Sequence, residues 1–168
     1  MQPTMRIGKG VCGIMVLAST LFGYDLHELR TTDTAGALSF AGSITRISLG
    51  VGYNYTIAPP IQVGFLPGFT YTSGNNTSAT TLSFLAGPTF NFPGGYSLSN
   101  AVFLTGLVGL NHTSLGGISA TKFAFAVEAG KRFALLSHFC YRPSFSVIKV
   151  LDADTVFAIS FLAFAATF

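Results

Sequence analysis

The sequence predicts an all-β fold: an eight-stranded antiparallel up-and-down transmembrane β-barrel behind an N-terminal signal peptide. Three observations predict it. First, only 9% of the 168 residues are charged while 49% are hydrophobic, with 17 Phe, 19 Gly and no Trp. Soluble domains carry about 25% charged residues, so a water-facing surface is hard to build from this chain, and the same hydrophobicity excludes disorder. Second, no apolar run reaches the ~20 residues of a spanning helix; residues 11–22 and 156–168 come nearest and are too short. Third, the rest of the chain alternates apolar and small or polar residues with a period of two, as strands do. A closed barrel is the other backbone arrangement that satisfies its own hydrogen bonds in hydrocarbon.

Residues 1–23 read as the signal peptide. Arg6 and Lys9 give a positive start, residues 11–22 an apolar stretch, and the small residues from Ala18 to Gly23 a cleavage site between 20 and 24. Lys9-Gly10-Val11 ahead of Cys12 is not a lipobox. Residues 24–168 then form the barrel domain. Losing Arg6 and Lys9 takes the net charge from +3 to +1, and no basic run or basic-aromatic patch remains for nucleic acid. Losing Cys12 leaves Cys140 with no partner for an internal disulfide.

The elements follow in order. The first strand is expected within residues 29–40, where alternation is poorest. In residues 44–56, Ile47, Leu49, Val51, Tyr53 and Tyr55 oppose Arg46, Ser48, Gly50, Gly52 and Asn54. In 61–72, Ile61, Val63, Phe65, Pro67, Phe69 and Tyr71 oppose Gln62, Gly64, Leu66, Gly68 and Thr70. In 82–92, Leu82, Phe84, Ala86, Pro88, Phe90 and Phe92 oppose Ser83, Leu85, Gly87, Thr89 and Asn91. The pattern weakens over 100–112, where Phe103 and Leu107 fall opposite Val102, Leu104, Val108 and Leu110. It recovers over 121–135 and 139–150, and residues 156–168 close the chain. Each strand is roughly as long as a tilted membrane-spanning strand needs to be. Tight turns at Ala58-Pro59-Pro60, Pro93-Gly94-Gly95 and Leu135 to His138 alternate with longer polar loops at 72–80 and 111–121. Short turns on one side and longer loops on the other fit a barrel whose two termini lie on the short-turn side.

Aromatic residues then fall at two heights, as interfacial belts require. Near the short turns and termini lie Tyr53, Tyr55, Phe90, Phe92, Phe133, Phe139, Tyr141 and Phe168; near the loops lie Phe69, Tyr71 and Phe123. A leader, eight alternating strands, GVGYNY at 50–55 and a final strand ending in Phe168 together resemble the small outer-membrane β-barrel families, among them the opacity-type surface proteins and the Ail-like barrels. The resemblance implies a place in the bacterial outer membrane, among its lipid and lipopolysaccharide. It also implies that the barrel-assembly machinery reads the last strand, with Phe168 and more loosely Phe164 and Ala166 matching the terminal signal. The chain departs from the pattern at Phe157, Ile159 and Phe161, which fall on the inward face. Either a bulge shifts that strand by one or its interior is apolar.

The inward charges are Arg46, Lys122, Glu128, Arg132 and Arg142. Eight strands leave a lumen just wide enough for side chains, and charges buried there must pair. Arg132 and Arg142 flank the turn at Ser137 symmetrically, so they are expected side by side with Glu128 as their acid, plugging the lower lumen; Glu28 and Asp33 are further candidate acids. The resulting expectation is a non-enzymatic, monomeric, structural or surface-exposed protein, with no cofactor or metal, whose polar loops contact host or environment. Three alternatives compete. One is a narrow channel for small solutes. Another is a lipid-modifying enzyme built on His112 and Ser114, which resemble part of a lipid A deacylase motif, although Leu115 stands where that motif has Asn. The third is a soluble ligand-binding barrel with the apolar face turned inward.

Overall fold

A computed structural model describes residues 27–32, 45–74, 77–92 and 98–168, without the side chains of Thr32 and of residues 45–47. The signal-peptide reading and Asp33 lie outside the described residues. Those described form only strands and turns. There are eleven strand segments: β1 His27–Thr32, β2 Thr45–Ala58, β3 Ile61–Gly74, β4 Thr77–Phe92, β5 Val102–Leu115, β6 Ile118–Lys131, β7 Phe133–Leu136, β8 Phe139–Tyr141, β9 Ser144–Val150, β10 Thr155–Ser160 and β11 Phe164–Thr167.

All neighbours are antiparallel. Strands β1 to β6 pair in succession. Then β6 pairs β9 and β7 pairs β8, while β9 pairs β10 and β8 pairs β11. The sheet curls until β11 meets β1, with Glu28 opposite Thr167 and Arg30 opposite Ala165. The gaps between β6 and β7, β8 and β9, and β10 and β11 lie side by side and are bonded across. Arg132 N donates to Ala101 O at 2.9 Å, Lys131 N to Pro143 O at 3.2 Å, and Arg142 N to Ala163 O at 2.8 Å.

The alternation sets an inverted interior. Apolar side chains stand on the outside: Val51, Phe65, Phe84, Leu104, Val108, Phe125 and Val127 are all exposed. Polar ones are buried inside: Glu28, Arg30, Asn54, Gln62, Thr89, Asn91, Thr105, Arg132 and Arg142. A soluble barrel would do the reverse, since water favours burying apolar surface. The period of two left that choice open; the structure turns the apolar face outward.

Two expectations are corrected, and one alternative that the sequence left open is decided. The first strand starts at His27 rather than within 29–40, so Glu28 and Arg30 both enter the lumen. The long polar loops are mostly strand. β3 runs to Gly74 and β4 starts at Thr77, while β5 runs to Leu115 and β6 starts at Ile118. The hairpin between them turns on Gly116 and Gly117, both at positive φ (56° and 88°), which is the conformation a two-residue hairpin demands. Last, Phe157, Ile159 and Phe161 face outward. The break at residues 161–163 moves the outward set from odd to even positions, so that Ala163, Ala165 and Thr167 are buried while Phe164 and Phe168 stay partly exposed. Phe157 stacks on outward Phe145, with ring centroids 6.3 Å apart.

Candidate functional site in the lumen

Five charges meet in the lower lumen. Arg132, at the break after β6, grips Glu28 of β1 with two bonds: Nε to Oε1 at 2.8 Å and Nη2 to Oε2 at 2.7 Å. Its Nη1 donates to Asn91 Oδ1 at 2.7 Å, and Nη2 also reaches Gln62 Oε1 at 3.2 Å. Arg142, at the break before β9, donates through Nη1 to Glu128 Oε1 at 2.7 Å, and its Nε lies 3.4 Å from Glu28 Oε1. Arg30 Nη1 donates to Glu128 Oε2 at 2.6 Å, and Asn54 Nδ2 to Glu28 Oε2 at 2.8 Å. The ring of Phe103 packs against two guanidinium groups, 3.7 Å from Arg142 and 4.9 Å from Arg132. A desolvated cation is attracted by the face of an aromatic ring. Here that attraction accounts for an apolar ring on a polar face.

The cluster differs from the expected triad in its pairings. Arg132 takes Glu28, 104 residues away in sequence, rather than Glu128. Arg142 lies between both acids. Lys122 stands apart at the rim, partly exposed, with Nζ 4.0 Å from Asp152 Oδ2. The backbone of Arg46 pairs with Thr72, and its side chain lies outside those described. Sequence reasoning missed Arg30 and Phe103. The signal for Arg30 was Glu28-Leu29-Arg30, an acid and a base two residues apart about an apolar residue, which puts both charges on one face.

Above the charges the lumen changes in register-ordered layers. Thr105, Glu128 and Ser146 share one row, and Thr105 exchanges a 2.8 Å hydroxyl bond with Thr89. The next row is Leu107, Ala126 and Ile148, and the one above it Gly109, Ala124 and Val150. Leu66 and Leu85 pack into these two rows. Hydroxyl pairs follow, Ser48 with Thr70 at 3.0 Å and Thr81 with Thr113 at 3.2 Å. A cavity of about 580 Å³ occupies this upper lumen, with Glu128 in its floor.

The lower belt residues all project outward. Tyr53, Tyr55, Phe90, Phe92, Phe133 and Phe139 are exposed, and Tyr141 and Phe168 half-buried among other rings. His27 joins Tyr53, Tyr55 and Phe168, with centroids 5.3 to 5.9 Å away, and hydrogen-bonds the Tyr53 hydroxyl. Phe133 stacks on Tyr141, and Phe139 on Phe164. At the other height, Phe69 and Phe123 are exposed and Tyr71 half-buried.

His112 and Ser114 lie on the outer face of β5. His112 Nδ1 bonds the Thr121 hydroxyl at 2.8 Å, while Glu128 bonds Arg30 and Arg142 on the opposite side of the wall. Among the described residues, no three His, Cys, Asp or Glu side chains converge as a metal set would.

This architecture recurs in solved structures. The chain is similar to the outer-membrane protein Ail of Yersinia pestis in a phospholipid bilayer nanodisc, at 18% identity and a TM-score of 0.54, covering 84% of this chain and 98% of that one. The N-terminal β-barrel domain of Pseudomonas aeruginosa OprF matches at 13% identity and 0.54, over 86% and 98%. Neisserial surface protein A matches at 16% and 0.53, over 84% and 94%. The fold is that of the small outer-membrane β-barrels. No protein-family model and no curated protein matches the sequence, so the likeness rests on the fold, at 13–18% identity.

Proposed function

We propose that this chain is a small outer-membrane protein. It is exported by the leader at residues 1–23 and crosses the membrane as eight strands: β1, β2, β3, β4, β5, β6 with β7, β8 with β9, and β10 with β11. Its role is structural or at the cell surface and involves no catalysis, and its lower lumen is plugged by Glu28, Arg30, Glu128, Arg132 and Arg142. The single observation that carries this reading is the inversion of the interior. Three arginines and two glutamates are buried while rings and aliphatic side chains cover the outside, which is stable only where the outside is hydrocarbon. Strands of 14 to 16 residues from β2 to β6 exceed the ~9–11 that span a bilayer. The excess rises above the membrane as hairpin edges, and these edges, rather than long loops, form the surface that meets host or environment.

Expression in a Gram-negative host tests the reading. The protein should fractionate with the outer membrane and migrate differently on a gel with and without boiling. Recovery as a soluble periplasmic protein with no heat shift sinks it. The cavity above the charge layer favours a second reading, a narrow channel. Single-channel conductance in planar bilayers separates the two: a plugged lumen gives none, and steady unitary currents from the wild-type barrel establish the channel.

A further inference from the structure

The upper lumen is a chamber with a consistent chemistry. Its wall brings Leu66, Leu85, Leu107 and Ile148 around a space of about 580 Å³, within the range of small-molecule pockets. Above these rows Thr70, Ser83 and Asn111 line it with hydroxyl and amide groups. Among the described residues that line it, only Glu128 is charged, and its two carboxylate oxygens accept from Arg142 and Arg30 at 2.7 and 2.6 Å. A charged ligand would lose its hydration there with no free counter-charge to replace it. Water is a poor occupant of the aliphatic rows, because a space with such walls stays dry and takes up hydrocarbon. Phe157 and Ile159 border the same space although they face outward, so apolar surface continues from the chamber to the membrane side of β10.

We propose that the upper lumen binds one small neutral amphiphile, a medium-length hydrocarbon chain bearing a single hydroxyl. The chain lies among Leu66, Leu85, Leu107 and Ile148, and the hydroxyl among Thr70, Ser83 and Asn111. The length fits: Leu107 and Asn111 are two inward steps apart on β5, roughly 13 Å of strand, which suits an alcohol of the size of octanol. A more polar molecule, a sugar for instance, would press hydroxyls against the aliphatic rows, each at a cost. A plain alkane would leave the upper polar groups without a partner. The inference rests on the barrel reading above, and its test keeps the two apart.

The full chain is folded into phospholipid nanodiscs with labelled Leu, Ile and Val methyl groups, and octanol is titrated in while the methyl resonances are followed. The methyls of Leu85, Leu107 and Ile148 should shift along a curve that saturates. Those of Leu104 and Val108, which face outward, should follow only the partition of octanol into the bilayer. At equal loading of the bilayer, octane should be held roughly fivefold more weakly for want of the hydroxyl, and octanoate roughly tenfold or more for want of a counter-charge. Ala126→Phe puts a ring into the row of Leu107 and Ile148 and should remove the saturating component. Inward methyls that only track the outward ones, octane or octanoate held as tightly as octanol, or saturation that persists in Ala126→Phe, overturns the proposal. If Ala126→Phe does not fold, magnetisation transfer from the octanol chain to the Leu107 methyls of the wild type decides: its presence supports the site and its absence overturns it. A heat-shifted gel band from the same preparation reports the barrel separately, so a heat-shifting protein that fails to bind counts against the site alone.

Discussion

The two halves of the lumen share one wall and one alternation, yet they are opposite environments. The lower half is filled by long charged and amide side chains whose heads bond one another. The upper half is lined by Leu66, Leu85, Leu107, Ile148 and Val150 with a rim of hydroxyls, and it keeps a cavity of about 580 Å³. The difference teaches that in an inverted barrel the polar layer acts as the core. Ion pairs under an apolar layer are shielded from water, where their attraction is stronger and the cost of leaving one partner alone is higher. Stability should therefore be concentrated below and tolerance to change above.

The largest test of that contrast is Glu28→Gln. Glu28 accepts two bonds from Arg132 and lies 3.4 Å from Arg142 Nε, so neutralising it leaves buried guanidinium groups facing each other. A loss of about 3–5 kcal/mol is expected, seen as loss of the heat-resistant gel band at a much lower temperature. The double variant Glu28→Met/Arg132→Met should recover much of that loss, because it removes both charges. If the double variant is worse than the sum of the singles, the lower layer is not held by paired charges.

Phe103→Ala comes next. The ring is 1% exposed and supports two guanidinium groups, so truncation should cost about 3–4 kcal/mol. Phe103→Leu keeps most of the volume and loses the ring face, for about 1–2 kcal/mol. Equal stability of Phe103→Leu and wild type in thermal melts would reduce Phe103 to a filler.

Much of this was legible in the sequence, for a physical reason. A strand's two faces are written locally, so Tyr53, Phe90 and Phe139 could be assigned to the outward face before any fold was known. The adjacency of Arg132 and Arg142 was equally local, since both flank one tight turn; the structure brings both to Phe103 and to Glu28. What could not be read was closure. Period two says nothing about which distant strand completes the ring, and β1 has only six residues in which to show its alternation. Arg30 therefore stayed hidden, and Glu28 could be offered only as a further acid rather than as the partner of Arg132, as these pairs join residues about 100 apart. The loops misled because a polar stretch reads alike whether it is a loop or a strand. Thr72, Thr80, His112 and Thr121 are strand residues in register with a neighbour. At the C-terminal strand the ambiguity was real, because one bulge reverses every later side chain and leaves no mark in the alternation before it.

In the upper half, Leu107→Ala should cost about 2 kcal/mol, the low end for a buried leucine. Leu107 is 3% exposed, but it borders an existing cavity, so truncation enlarges a space rather than opening a new one. A thermal loss as large as that of Glu28→Gln would erase the contrast between the two halves.

Lys122→Gln should have the smallest effect. Lys122 shares the inward face with Glu128 and was grouped with it by sequence, yet it lies at the rim, three rows above, where its side chain is 38% exposed and its partner Asp152 87% exposed. An ion pair at 4.0 Å in that setting is screened by solvent and contributes below about 0.5 kcal/mol. Its thermal melt should overlay the wild type, and raising salt should not separate the two. A loss of a kilocalorie or more would place a working charge in the upper lumen. Burial rather than the face of the strand then could not be what separates the cations that hold this barrel from the one that does not.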